Sequence, residues 1–201
     1  MLIGGFMPFS LSDYPGHPAA VVFTQGCNFR CPFCHNGDLL SPVRPQSQMV
    51  PEETVFELLK KRGGRLHGVV ITGGEPTLQD DLIPFMQKVR EHGLKVKLDT
   101  NGSRPQVVRE VLKEKLVDYI AMDIKTDPDR YAPAISERCS PEAICSSIET
   151  IMTAGIEYEF KTTCVRPFID ASIMDRITRM IRGAKRYAIQ RFHDKSVLQP
   201  D

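Results

Sequence analysis

Residues 19–36 read AAVVFTQGCNFRCPFCHN, a short apolar run followed by a loop with three cysteines. Cys27, Cys31 and Cys34 have the spacing C-x3-C-x2-C. Thiolates this close in one loop can converge on one metal centre, and three of them suit a four-iron cluster in which one iron has no protein ligand. Because such an iron can bind a small molecule directly, the loop predicts an iron–sulfur site open to a small molecule.

Two other interpretations of the cysteines remain open from these residues alone. A structural zinc site needs a fourth ligand, and His35 follows Cys34 so directly that both converge poorly on one ion. The segment from Cys31 to Cys34 also resembles a glutaredoxin-type dithiol, although such a domain is normally much shorter and Cys27 would be surplus. Either interpretation would make the protein a non-catalytic zinc or thiol module.

The pattern around this loop alternates between short apolar runs and longer amphipathic stretches. Strands are predicted to start near residues 19, 68, 95, 119, 158 and 187, with helices over about 51–62, 80–92, 105–114, 141–154 and 171–182. Alternating β and α elements favour a parallel sheet with right-handed crossovers. Six units cannot complete an eight-unit barrel, so the spacing leaves an open doubly wound sheet and an incomplete barrel as alternatives.

Length and composition narrow the class of protein. The 201 residues suit one domain over 1–201, with a core at about 17–195, and 41% of them are hydrophobic. A net charge of +1 disfavours binding to nucleic-acid phosphates. No apolar run reaches the ~18 residues of a membrane span, and the first residues make a poor signal peptide. We therefore expect a cytoplasmic protein whose six cysteines serve metal or redox chemistry.

Residues that directly follow three other strands are candidate ligand contacts, because ligands bind at the carboxyl ends of parallel strands. In the turn Thr72–Pro76 (TGGEP), two glycines let a ligand approach the backbone and Glu75 can accept a hydrogen bond from an ammonium group. Asp99 and Asp123 end neighbouring strands and could bind a cation, while Lys125 could meet a carboxylate. The alternative is an ordinary turn and two capping aspartates.

Taken together, these residues resemble the radical S-adenosylmethionine (radical SAM) superfamily, whose signature is the three-cysteine loop followed by the GGEP turn. The segments Asp13–Gly16 (DYPG), Asp99–Gly102 (DTNG) and Met122–Lys125 (MDIK) make the chain similar to the glycyl-radical activating enzymes over about residues 3–195. Within that group it is most similar to the activating proteins of anaerobic ribonucleotide reductase, with pyruvate formate-lyase activating enzyme as a near neighbour. The resemblance implies an α/β fold, an incomplete (β/α)6 barrel with a parallel sheet.

The resemblance also implies a role for each motif residue. Cys27, Cys31 and Cys34 would ligate one 4Fe–4S cluster, and S-adenosylmethionine (SAM) would chelate its fourth iron. The SAM contacts would be Phe33, His35, Gly73, Gly74, Glu75, Asp99, Asp123, Lys125 and His193, the last in surroundings (IQRFH) that differ from the family pattern. Asp99 and Asp123 would also hold a monovalent cation. The reduced cluster would cleave SAM to a 5′-deoxyadenosyl radical, which abstracts hydrogen from a glycine of a partner enzyme.

The implied partners are a glycyl-radical enzyme, with anaerobic ribonucleotide reductase first, and a flavodoxin or ferredoxin-like electron donor; nucleic acid and membrane are not expected. Arg176, Arg179 and Arg182 share a helix face that is either solvated or a docking patch. No cysteine motif of an auxiliary-cluster insert follows Cys34, so one cluster is expected, and the roles of Cys139, Cys145 and Cys164 stay open. A radical SAM enzyme for a small molecule, such as 7-carboxy-7-deazaguanine synthase, is the alternative.

Overall fold

The computed structural model describes residues 1–62, 64–132, 135–136 and 139–193. Its strands are β1 (Ile3–Ser10), β2 (Ala19–Thr24), β3 (Gly68–Gly73), β4 (Lys95–Thr100), β5 (Tyr119–Asp123), β6 (Glu157–Cys164) and β7 (Tyr187–Arg191). The helices between β2 and β7 are α1 (Glu52–Lys61), α2 (Leu82–Glu91), α3 (Pro105–Lys113), α4 (Pro141–Thr153) and α5 (Ala171–Met180). One helix thus follows each of the strands β2 to β6.

The seven strands form one sheet in chain order, with β2 to β7 parallel and β1 antiparallel to β2. A doubly wound sheet reverses its strand order at a switch point, and this sheet does not. The predicted α/β fold with a parallel sheet is confirmed, and the sequential order identifies the incomplete barrel. Across these described ranges, no helix is long and apolar enough to cross a membrane.

Side chains at alternate strand positions separate into two layers, because successive residues point to opposite faces of a sheet. On one face Ile71 and Leu98 belong to a large core that includes Phe85 of α2 and Ile148 of α4. The opposite face has a small cluster made of Tyr14, Ala19, Val21, Val70, Tyr119 and Ala121. The helices therefore cover one face, and the polar residues at the strand ends on the other face border a cavity.

Strand β1 was not predicted from the apolar pattern. Its sequence, IGGFMPFS, contains two glycines and Pro8, residue types that are depleted in strands. Pro8 lies in one of two irregular stretches of the β1–β2 pairing, between Met7 and Ser10. An edge strand tolerates such residues because one side of it needs no hydrogen-bond partner. The sheet therefore begins at Ile3, upstream of the predicted core boundary near residue 17.

Candidate cofactor site

A cavity of about 240 Å³ lies at the carboxyl ends of the parallel strands. The structure brings together on its walls Cys27, Cys31, Phe33, Cys34, His35, Gly73, Gly74, Asp99, Asp123 and Lys125. These residues come from loops far apart in sequence, and they meet because the carboxyl ends of parallel strands share one edge. Two predicted contacts, Glu75 and His193, do not line the cavity.

The cysteine loop places the thiols of Cys27, Cys31 and Cys34 on one wall of the cavity, which we call the sulfur wall. Burial raises the pKa of the Cys27 thiol to about 12 and that of Cys31 to about 11. The Cys27 Sγ accepts hydrogen bonds from the Phe29 main-chain N–H at 3.3 Å and from Asn101 Nδ2 at 3.9 Å. Donors of this kind stabilise a thiolate once a metal has displaced its proton.

The donor set of the cavity can be compared with what each kind of metal centre needs. Among the residues with described positions, no group of three or more histidine, cysteine, aspartate or glutamate side chains is found that could hold a single metal ion. A structural zinc site takes four ligands on one ion. In a 4Fe–4S cluster each thiolate binds a different iron, so three thiols suit a cluster with one open iron.

Gly73 and Gly74 pack the β3 loop directly against the cysteine loop. A Cβ on Gly74 would lie 2.0 Å from the Gly26 carbonyl oxygen, and one on Gly73 would lie 2.4 Å from the Thr24 nitrogen. Gly73 also has a φ of 112°, a conformation that favours glycine. Main-chain hydrogen bonds of 2.9 Å from Gly74 to Thr24 and 2.8 Å from Glu75 to Gly26 join the loops. Contact between the loops thus requires both glycines, whose backbone also lines the cavity.

The Glu75 carboxylate lies beneath the cavity and is fully buried. Thr77 donates to it through its main-chain N–H at 3.1 Å and through its hydroxyl. The Thr100 hydroxyl and the Asn101 N–H each donate at 2.7 Å. Burial raises the pKa of Glu75, and these hydrogen bonds oppose the rise without cancelling it. Because its oxygens are engaged and enclosed, Glu75 connects the ends of β3 and β4 and does not line the cavity. Its predicted contact with a ligand ammonium stays a prediction.

Charged side chains line the cavity opposite the sulfur wall. Lys125 Nζ lies 3.1 Å from Asp123 Oδ2, and Lys161 Nζ lies 3.6 Å from Asp99 Oδ2. Burial by itself would raise the pKa of Asp123, but Lys125, followed by Lys161 and Lys97, outweighs burial and lowers it. The same attraction to Asp123 raises the pKa of Lys125 despite burial. At neutral pH Asp123 and Lys125 are therefore charged.

Phe33 and His35 line the cavity, and each lies beside a second aromatic ring. The Phe33 and Phe168 rings lie 5.1 Å apart, and the His35 and Phe192 rings 5.9 Å apart. His193 contributes its main-chain carbonyl oxygen, which lies 2.7 Å from His35 Nε2. The His193 side chain is exposed and does not line the cavity. The contact of His193 with the site is the one between its carbonyl oxygen and the His35 ring.

The structure adds residues to the site that the sequence did not indicate. Asn36, Asn101 and Lys161 line the cavity. Lys161 could have been recognised as a charged residue at an inward position of a strand. Asn36 and Asn101 belong to the quoted cysteine loop and to the DTNG segment, but neither was assigned a role there. Outside the cavity are Cys139, which is buried, Cys145, which is exposed, and Cys164 at the end of β6. All six cysteines are free thiols.

The sequence profile of the radical SAM superfamily matches residues 21–178, more than half of the chain. The chain therefore belongs to the radical SAM superfamily of enzymes. It is 35% identical, over 96% of its length and 81% of the relative's, to a Methanocaldococcus jannaschii protein that is named provisionally as a glycyl-radical enzyme activating enzyme. It is also 33% identical to the pyruvate formate-lyase-activating enzyme of Staphylococcus aureus, over 55% of this chain and 48% of that enzyme.

Solved structures show the same fold at low sequence identity. Streptococcus suis SuiB bound to precursor peptide SuiA matches with a TM-score of 0.67 and 14% identity, over 87% of this chain and 39% of SuiB. The enzyme anSMEcpe with bound AdoMet matches with a TM-score of 0.63 and 15% identity, over 84% of this chain and 49% of that enzyme. The chain thus spans less than half of each of these structures.

Proposed function

We propose that this enzyme activates a glycyl-radical enzyme, by cleaving SAM and abstracting hydrogen from a glycine of that partner. The observation that supports this proposal is that the three cysteines and the Gly73–Gly74 backbone line one cavity. The names of the two relatives described above support the choice of a protein partner.

The residues of the cavity fit both groups that the superfamily implies. Cys27, Cys31 and Cys34 would hold one 4Fe–4S cluster on the sulfur wall. The Lys125 and Lys161 ammonium groups suit the carboxylate of SAM, and the Gly73 and Gly74 backbone suits its ammonium group. The chemistry that a bound, reduced cluster would supply is one electron, which would cleave SAM to methionine and a 5′-deoxyadenosyl radical.

The protein's own residues position the cluster and SAM and enclose them. The hydrogen bonds from Gly74 to Thr24 and from Glu75 to Gly26 fix the two loops that hold cluster and cofactor. Phe33 and His35 suit the adenine, and with Phe168 and Phe192 they limit access of water. Enclosure matters because a primary radical must meet the target glycine before it meets anything else.

Anaerobic ribonucleotide reductase is the partner we propose, with a pyruvate formate-lyase-type enzyme as the alternative. The short loop from Cys34 to α1 carries no further cysteine, which agrees with a single-cluster activase. For the electron donor we propose a flavodoxin or ferredoxin-like protein, since Arg176 and Arg179 present an exposed basic face, although both also pair with acidic residues, Asp127 and Asp175. A reducing, cytoplasmic location accords with the six free thiols.

The test is anaerobic incubation of the reconstituted enzyme with SAM, a reductant and each candidate partner. We expect 5′-deoxyadenosine and a glycyl-radical signal on one partner by electron paramagnetic resonance, and neither with the Cys31→Ala variant. A chain that cleaves SAM but activates neither partner, and instead turns over a small molecule, would contradict the proposal. One relative, 26% identical and named as a probable GTP 3′,8-cyclase, makes GTP the first small molecule to try.

A further inference from the structure

Lys97 is a buried lysine beside the cofactor cavity that the proposed function does not use. It lies on β4 two residues before Asp99, so both side chains point to the same face of the sheet. Its side chain is 3% exposed. Its ammonium group contacts Asp99 Oδ1 and lies 5.8 Å from the centre of the Tyr119 ring. A lysine is almost never buried without a partner, and here the partner is a cavity residue.

The carboxylates of Asp99 and Asp123 both face lysines of the protein. Lys97 contacts one oxygen of Asp99, and Lys161 lies 3.6 Å from the other. Lys125 lies 3.1 Å from Asp123, which is also the register partner of Lys161 across β5 and β6. Three ammonium groups thus accompany two carboxylates, and this group of five side chains carries a net charge of +1.

A monovalent cation does not fit between these two carboxylates. Such an ion binds where carboxylate oxygens are free of other cations and where their mutual repulsion needs relief. In this structure the lysines already relieve that repulsion. An added ion would enter a group that is already positive and would displace an ammonium group from an enclosed site, which is costly.

We infer that the Lys97 ammonium serves as a built-in substitute for the monovalent cation that the family resemblance implies at Asp99 and Asp123. Lys97 is then a positioning residue, which holds the Asp99 carboxylate in place at the cavity wall. This inference rests on the proposed SAM site. It predicts that the enzyme needs no added monovalent cation, unlike an enzyme that binds such an ion at these aspartates. In the sequence, Lys97 is the third residue of the run KVKLDTNG, residues 95–102.

The experiment compares the wild type with Lys97→Met, which keeps most of the side-chain volume and removes the charge. Lys95→Met is the matched control, because Lys95 lies on the same strand and is exposed. Lys97→Arg is a second variant that retains a cation. Each cluster-loaded protein is measured in potassium, sodium, ammonium and tetramethylammonium chloride at constant ionic strength. The readouts are the thermal midpoint without SAM, the affinity for SAM and the rate of 5′-deoxyadenosine formation.

For the wild type and Lys95→Met we expect all three readouts to be independent of the cation. For Lys97→Met in tetramethylammonium we expect SAM affinity to fall by about tenfold or more, because the half-buried Asp99 carboxylate has lost one of its two ammonium partners. Potassium or ammonium should restore much of that affinity and raise the thermal midpoint by about 2–4 °C. Lys97→Arg should remain independent of the cation.

Two results would overturn the inference. One is a wild-type enzyme whose SAM affinity or rate requires potassium or sodium, since the cation site would then exist beside Lys97. The other is a folded Lys97→Met protein that behaves as the wild type does in every salt. Because the thermal midpoint is read without SAM, cation sensitivity can be judged even if the wild type fails to bind SAM and the proposed function is lost.

Discussion

The main-chain N–H of Asn101 donates a hydrogen bond of 2.7 Å to Oε2 of Glu75. This bond joins the residue that follows β4 to the loop that follows β3. The Asn101 side chain in turn lies 3.9 Å from the Cys27 sulfur. The loop at Asn101 therefore connects the buried Glu75 carboxylate to Cys27, and we expect a change at Glu75 to alter the cysteine loop as well.

The first prediction follows from that buried carboxylate. Glu75→Gln should lower the free energy of unfolding by about 1–3 kcal/mol, because the new amide N–H₂ would face donors that now bond to an oxygen. Chemical denaturation of the cluster-loaded protein measures the change. Glu57→Gln, on the exposed side of α1, is the control and should be nearly silent. A Glu75→Gln protein as stable as wild type would show that the hydrogen bonds to Glu75 matter little.

A second prediction concerns the contact between the loops. Gly74→Ala should destabilise the protein by about 1–3 kcal/mol and reduce cluster loading as well as SAM binding, because the added Cβ displaces the Gly26 backbone. Iron content and SAM affinity are the measurements. Gly5→Ala is the control, since a Cβ there meets the Phe23 ring at 3.5 Å, an ordinary contact. Normal iron content with loss of SAM binding alone would mean that Gly74 serves only the cofactor.

The third prediction concerns cluster ligation. Replacing Cys27, Cys31 or Cys34 by alanine should abolish the iron–sulfur absorbance and bring iron content from about four per chain to near zero. Cys145→Ser is the matched control, because Cys145 is an exposed thiol outside the cavity. Full iron loading of a Cys31→Ala protein would refute the assignment of the sulfur wall.

The fourth prediction is a pH dependence of cluster assembly. Burial holds the thiols of Cys27 and Cys31 protonated well above neutral pH in the cluster-free protein, and iron binds thiolate. Assembly should therefore accelerate from pH 7 to 9, by up to about tenfold per pH unit, since the thiolate fraction grows with pH below the pKa. Absorbance follows the rate, and a series without protein corrects for iron sulfide formation. A rate that is flat or falls with pH would contradict this prediction.

The sequence predicted that the motifs lie together in one site, but not the role of every residue in that site. Cys27, Gly74, Asp99 and Lys125 were expected together because parallel strands bring their carboxyl ends to one edge, a rule of topology that needs no side-chain detail. The burial of Glu75 could not be read from the GGEP turn, because it depends on donors that the β4 end supplies from 25 residues away.

The ion pairs of Lys97 and Lys161 with Asp99 were missed for a related reason. The prediction of a cation at Asp99 and Asp123 considered only the residues that end their strands or directly follow them. Strand alternation by itself places Lys97 on the same face of β4 as Asp99. Only the register of the folded sheet brings Lys161 of β6 beside the aspartates. The cation site at these aspartates was therefore predicted from an incomplete set of charges, and it stays a prediction.

Strand β1 has a consequence for handling the protein. The β2 strand, from which the cysteine loop emerges, pairs with β1 on one side and β3 on the other. A version of the protein that begins near residue 17 would leave β2 with a row of unpaired N–H and C=O groups. Such an edge is a template for strand pairing between chains, so this shortened protein should aggregate, and most readily before its cluster is assembled.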